Sequence, residues 1–157
     1  MAFRTIDNLK TAWLLCRIGG HLCGLPLDHV IETLRPLPIA PLTDAPPTVL
    51  GVSILRGEPV VVVDLGRLLD APVVQPERLV LMQTGPRRVA LACERVIGAR
   101  IFGAESSREL PPLLQKAVGD IVSAVGTLDA ELLLFLRTAR LVPEDVLDRL
   151  NVLERAS

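Results

Sequence analysis

Arg56 is a cation set where the surrounding sequence is apolar. It lies in Leu55-Arg56-Gly57-Glu58, between an apolar segment from Val49 and the run Val60-Val61-Val62-Val63. A guanidinium between apolar strands must pair with a carboxylate or face a partner. Other candidates for chemistry offer less. Asp28 and His29 are adjacent, so their side chains diverge in a strand, whereas acid–base machinery needs spatial convergence. Ser53, Ser106 and Ser107 stand in no nucleophile-elbow context. His21 and His29 read as surface or strand-end residues. Cys16, Cys23 and Cys93 lie in apolar strand contexts, where a thiol behaves as a small hydrophobe. An odd number of cysteines argues against a disulfide framework. Cys16, His21 and Cys23 match no common zinc spacing, so no metal site is expected. There is no phosphate loop and no dinucleotide fingerprint, and no cofactor is expected.

The elements that must position Arg56 read as short strands. Four successive valines form helix poorly but suit a strand buried on both faces. Gly57 supplies backbone freedom at the turn. Further strands are expected over 13–18, 21–27, 79–83, 89–93, 96–102, 121–128 and 132–136, with an ordered proline-rich loop over 35–47. Residues 28–34 read as extended or as one short helical turn, and 66–69 and 111–118 as single helical turns. Pro143 to Glu154 reads as the one clear helix. Pro143 suits its first position, Glu144 and Asp145 its positive end, and Val146, Leu147, Leu150 and Leu153 share a face expected to dock on a barrel.

The pattern occurs twice. Residues 19–31 recur at 85–97 with a shift of 66, matching Leu25 to Leu91, Asp28 to Glu94 and Val30-Ile31 to Val96-Ile97. Residues 55–63 recur with a shift of 73, so that Gly57 corresponds to Ala130, Glu58 to Glu131 and Val60–Val63 to Leu133–Leu136. A period near 70 is too long for common solenoids and suits two small barrels of roughly five strands. The units are expected at about 13–70 and 78–142, with exchange of strands between them allowed. A C-terminal helix and tail follow at 143–157.

Asp64 ends the valine run and is followed by Leu65-Gly66. An apolar strand running into Asp-x-Gly would suit an aspartic-type hydrolase, which needs two carboxylates sharing a proton. Here Leu65 replaces the supporting hydroxyl, and the repeat places Arg137, not a second Asp, opposite Asp64. This stays a remote alternative, and no enzyme is expected. With 17 basic and 18 acidic residues, the chain carries no electrostatic footprint for nucleic acid or anionic lipid. Aromatics are 3% with no Tyr, so single strands find no stacking platform. Mean hydropathy is high at +0.44, and part of that excess could form an apolar contact surface. No apolar run reaches the length of a membrane span, and the N-terminus reads as no signal peptide, so direct membrane insertion is not expected and the cytoplasm is.

The hairpin resembles the signature of the CheW-like adaptor domains of bacterial chemotaxis. Gly51, Leu55, Arg56, Gly57, Val63, Asp64 and Leu65 match that family's glycine, Leu-Arg-Gly turn and Val-Asp-Leu strand end. Gly24 to Glu32 resembles its opening motif, Leu42 to Pro47 the segment before the hairpin, and 90–97 and 124–136 complete the pattern. The resemblance covers about residues 13–142. It implies an all-β fold of two tandem SH3-like five-stranded barrels with an apolar interior between them, and no catalysis. It also implies a cytoplasmic adaptor, associated with membrane receptor arrays, that couples the chemoreceptor cytoplasmic tip to the regulatory domain of a CheA-type histidine kinase. Arg56 would pair with Glu32, partly buried. The receptor would lie against Val30, Glu32, Leu50, Val52, Leu55 and Arg56, and the kinase against Gly57, Glu58 and Ala130. Ile54 departs from the family's Asn and Arg137 from a common Asp. These departures keep open a second reading, a regulatory connector or decoy that binds only one partner.

Overall fold

The computed structural model describes residues 10–73, 75–137 and 148. Eleven strands run in chain order: β1 Thr11–Ile18, β2 His21–Pro26, β3 Val30–Leu34, β4 Val49–Leu55, β5 Glu58–Val63, β6 Arg78–Thr84, β7 Arg87–Cys93, β8 Arg95–Phe102, β9 Ser107–Arg108, β10 Val122–Leu128 and β11 Glu131–Leu136. The one described helix of more than a single turn is α1, Pro112–Val118, which Pro112 opens from its first position. Short 3₁₀ turns cover Leu27–His29, Leu65–Leu69 and Ala104–Ser106.

The valine run shows why the sequence adopts this architecture. Val61 and Val63 face a large cluster that also holds Val80, Leu91, Cys16 and Leu134, from both sheets. Val60 and Val62 face the opposite way, into a cluster with Leu79, Leu81, Ala90 and Ala92 from their own sheet. A strand with no solvent face explains an unbroken run of β-branched residues. The same alternation holds in β11, where Leu134 and Leu136 face the shared cluster and Leu133 and Phe135 a third one. The fold therefore has three apolar layers: one interior for each sheet and a seam between them.

The strands form a six-stranded sheet, β8-β1-β2-β11-β10-β9, and a five-stranded sheet, β3-β6-β7-β5-β4. This is the expected all-β, two-unit SH3-like class, but the sheets do not coincide with the sequence repeats. Hairpin β1–β2 of the first half pairs with β8 and β11 of the second. Hairpin β6–β7 of the second half pairs with β3 and β5 of the first. Each half thus gives its opening hairpin to the other's sheet. Both cross-half contacts to the closing hairpins, β2–β11 and β5–β7, are parallel, while the other ladders are antiparallel.

The expectation of five strands in each unit is corrected by β9. Its two residues pair with Val125 and Gly126 and extend the ladder of β10. Two polar residues in a loop carry no period-2 signal, so sequence reasoning missed them. Residues 27–34 combine the two conformations expected of them, a 3₁₀ turn followed by a strand. Residues 112–118 form two turns of helix instead of one. The expected C-terminal helix falls outside the described residues except for Asp148, which is helical and exposed.

Proline-rich residues 35–47 form an ordered loop over the five-stranded sheet. Ala40 exchanges two backbone hydrogen bonds of 2.8 Å with Val52. The Ser53 hydroxyl donates to the Pro38 carbonyl at 2.8 Å, and Leu37 and Ile39 pack on the interior cluster. Gly51 is required beneath this loop. Its φ is +149°, and a Cβ would stand 2.2 Å from the Ala40 carbonyl oxygen.

Candidate partner-binding site

The site is built on the β4–β5 hairpin. Leu55 pairs with Glu58, leaving Arg56 and Gly57 as a two-residue loop. Both have positive φ, 51° and 83°, the left-handed geometry that suits the twist of a tight hairpin. Gly57 adopts it freely, whereas Arg56 carries a backbone cost of about 1–2 kcal/mol. The Arg56 side chain points to β3, where its Nη1 and Nη2 donate to Glu32 Oε1 and Oε2 at 2.5 and 3.1 Å. The Arg56 hydrogen bonds hold the Glu32 carboxyl below the usual carboxylate range, and the charge of Arg88 adds to the effect. Strands β3 and β4 are the two ends of the five-stranded order, so this pair ties the ends of the sheet together.

The pair stands in water. Arg56 is 64% exposed and Glu32 31%, which corrects the expectation of a partly buried pair. The turn projects beyond the apolar strands that flank it in sequence, and proximity in sequence to valines does not bury a residue at a hairpin tip. The two strands that carry the pair also expose apolar side chains close to it in sequence, Ile54 on β4 at 63% and Ile31 on β3 at 43%.

The remaining residues expected at a receptor groove divide between two layers. Val30 and Val52 are half-buried against the seam cluster. Leu50 and Leu55 are half-buried against the interior of the five-stranded sheet. The residues expected to meet a kinase are exposed at two different hairpin tips. Gly57 and Glu58 belong to the five-stranded sheet and Ala130 to the six-stranded one. The β10–β11 turn repeats the left-handed geometry without glycine, with φ of 50° at Asp129 and 65° at Ala130.

A second ion pair escaped sequence reasoning. Arg17 on β1 donates through both Nη atoms to Glu131 on β11, with Nη2 to Oε1 at 2.8 Å. Glu131 corresponds to Glu58 in the repeat, and that correspondence was the available signal. Its partner could not be read, because β1 and β11 meet only through the exchange of hairpins. The repeat also carries Ile31 to Ile97, and both are exposed.

Asp64 has a structural task. It is fully buried, and its oxygens accept from the backbone N–H of Gly66 at 2.9 Å and of Val73 at 3.0 Å. The carboxylate thereby starts the Leu65–Leu69 turn and anchors the chain as it leaves the first half. Burial raises its pKa despite those two bonds. With both oxygens engaged by the backbone, the aspartic-type arrangement has no free carboxylate to work with. The three cysteines are free and buried in the seam. A hydrogen bond with Cys93 and burial raise the Cys16 thiol, and burial raises that of Cys23. Thiols so placed are packing residues and poor nucleophiles.

Comparison with known proteins speaks to the fold and the family. The chain is 33% identical to Protein FrzA of Myxococcus xanthus over 87 residues, 54% of each chain, so the match spans about half the length of that curated relative. Its fold superposes on the crystal structure of the scaffolding protein TtCheW from Thermoanaerobacter tengcongensis with a TM-score of 0.71. That superposition covers 82% of this chain and 90% of the other, at 17% identity. The CheW-like domain family matches residues 12–146, nearly the whole chain, and the protein belongs to that family.

Proposed function

We propose that this protein couples chemoreceptors to a CheA-type histidine kinase as a non-catalytic adaptor. The family is one of chemosensory scaffolds whose partners are proteins. The observation that carries the finer reading is the exposed, two-bonded Glu32–Arg56 pair with Ile31 and Ile54 exposed on the same two strands. An oriented charge in an apolar surround specifies direction and register for a docking helix, while the isoleucines supply area to bury. The receptor tip lies against this surface and the neighbouring Val30 and Val52, with Leu50 and Leu55 supporting it from beneath. The kinase regulatory domain meets the exposed tips at Gly57, Glu58 and Ala130. The work takes place in the cytoplasm, beneath the receptor arrays.

Isothermal titration of the full chain against the regulatory domain of a CheA-type kinase from the same cell tests the kinase half of the reading. Saturable one-to-one binding is expected. A folded protein in both cells with no heat of binding overturns it. A connector that engages only one partner is the second reading, and exposed Ile54 favours it, because an apolar side chain there changes what the turn can recognise. Full kinase activation by this protein in a reconstituted receptor array excludes the connector.

A further inference from the structure

The outer strands of the two sheets are covered unequally. In the five-stranded sheet they are β3 and β4. The Glu32–Arg56 pair ties these to each other, and Ala40 bridges β4 at Val52. In the six-stranded sheet, β9 covers β10 and ends after two residues. The remaining outer strand, β8, has eight residues and pairs with β1 alone. Among the described residues, no backbone hydrogen bond from a loop reaches its other edge. The repeat explains the difference. It places Gly98 where Glu32 stands and Asp129 where Arg56 stands, so the ion pair that joins β3 to β4 has no counterpart at β8.

An uncovered edge offers a row of unpaired N–H and C=O groups to an extended chain. Ile97 is an extra residue in the β1–β8 ladder, between Val96 opposite Cys16 and Gly98 opposite Leu15. Such a bulge interrupts pairing, which leaves residues 98–102 as the regular stretch. Residues directly opposite in an antiparallel pair share a face. Arg100, opposite Trp13, and Phe102, opposite Thr11, therefore stand on one face, and Trp13, Phe102 and Phe135 line a cleft of about 380 Å³ there. On the other face, Ile101 is 67% exposed. From Arg95 to Arg108 the chain carries three arginines against one carboxylate, Glu105. Among the described residues, neither Arg95 nor Arg100 pairs with a carboxylate. We propose that the 98–102 edge of β8 is a strand-addition site for an extended segment of a partner protein, one that carries a carboxylate for Arg100 and an apolar side chain for the aromatic cleft. Main-chain hydrogen bonds to the edge supply affinity, while Arg100 and the cleft supply selection. A second copy fits less well, because β8 against β8 brings two arginines from each strand and no carboxylate.

The probe is a blocked heptapeptide of valine and threonine with one central glutamate, titrated at low salt into the full-length protein and followed by amide NMR. The control peptide carries lysine in place of that glutamate. The glutamate peptide is expected to shift alternate amides of 98–102, those that point away from β1, in a saturable way, and to bind about fivefold more tightly than the lysine peptide. Arg100→Glu, a change at an exposed side chain, is expected to reverse that order. No shift in β8 up to the solubility of the peptide, or shifts confined to other strands, overturns the proposal. Equal affinity for the two peptides, or an order that Arg100→Glu leaves unchanged, overturns the assignment to Arg100. Protection of the same amides that grows with protein concentration in the absence of peptide gives the edge to a second copy and overturns the partner assignment.

Discussion

At the scale of the residue, Arg56 keeps most of its surface in water while both terminal nitrogens are bound by Glu32. Exposed ion pairs contribute little to stability, so the pair acts by orientation and by joining β3 to β4. Arg56→Glu is expected to fold as the wild type does and to lose about tenfold or more in affinity for a receptor cytoplasmic fragment, measured by calorimetry. Binding at wild-type strength by that folded variant removes Arg56 from the receptor surface. Glu32 also has a pH signature. Its folded pKa lies below the ordinary value, so the contribution of the pair is complete above the ordinary glutamate range. It is lost as pH falls through the depressed pKa. Carboxyl-carbon NMR titration should show this depression in the wild type, and its loss in Arg56→Ala. Asp64 has the opposite sign. Its folded pKa is raised, so its contribution is complete below the ordinary aspartate range and is lost as pH rises through the raised value. Its larger role is to satisfy the amides of Gly66 and Val73. Asp64→Ala strands both and should cost about 2–4 kcal/mol in urea unfolding. An unchanged urea midpoint would mean that water replaces the carboxylate.

At the scale of the element, β5 tests the claim that a strand can be core on both sides. Val61 faces the seam and Val62 the interior of its own sheet. In a strand with one solvent face, only one of two neighbouring valines would matter. Here Val61→Ala and Val62→Ala are each expected to lose about 2 kcal/mol, with similar falls in thermal midpoint. If one of them is neutral, the strand has a wet face. Gly51→Ala probes the contact between β4 and the proline-rich loop. The added methyl meets the Ala40 carbonyl, so the Ala40–Val52 bridge should open and the amide of Val52 should lose its hydrogen-exchange protection. The element boundaries show how far the sequence could be read. The strands followed from β-branched runs and period-2 alternation, and Gly57 marked the hairpin. The turn at Asp129–Ala130 was legible chiefly by its correspondence to Arg56–Gly57, because it lacks the glycine that marks the first hairpin. The exposure of Glu32 and Arg56 was misjudged, because flanking apolar residues report the burial of their own strands and not that of the tip between them.

At the scale of the whole molecule, the exchange of hairpins decides how the protein must fold. Neither half contains a complete sheet, since β2 is sealed by β11 and β5 by β7. A chain made of 1–73 and a chain made of 75–157 should each lack a cooperative unfolding transition alone, and recover one when mixed one-to-one. Two halves that fold separately with native-like spectra would contradict the observed sheet order. The intact protein should melt in a single transition, because the seam cluster draws on both sheets. The late sealing of distant strands should also make folding slow for its size.

The sequence by itself determined the all-β class, the position of nine of the eleven strands, the two-faced burial of the valine run and the twofold repeat. All of these are local signals, written in side-chain type and in alternation along a few residues. Through its likeness to a known family, the sequence also joined Glu32 to Arg56. Only the tertiary structure decided which hairpin completes which sheet, because the apolar strands of the two halves resemble one another and an unpaired strand edge exposes the same backbone groups whatever its side chains. From that choice follow the Arg17–Glu131 pair, the seam that buries all three thiols, and the contact of the Trp13 and Phe135 rings. Each of these joins residues far apart in the chain, where no local pattern records the meeting.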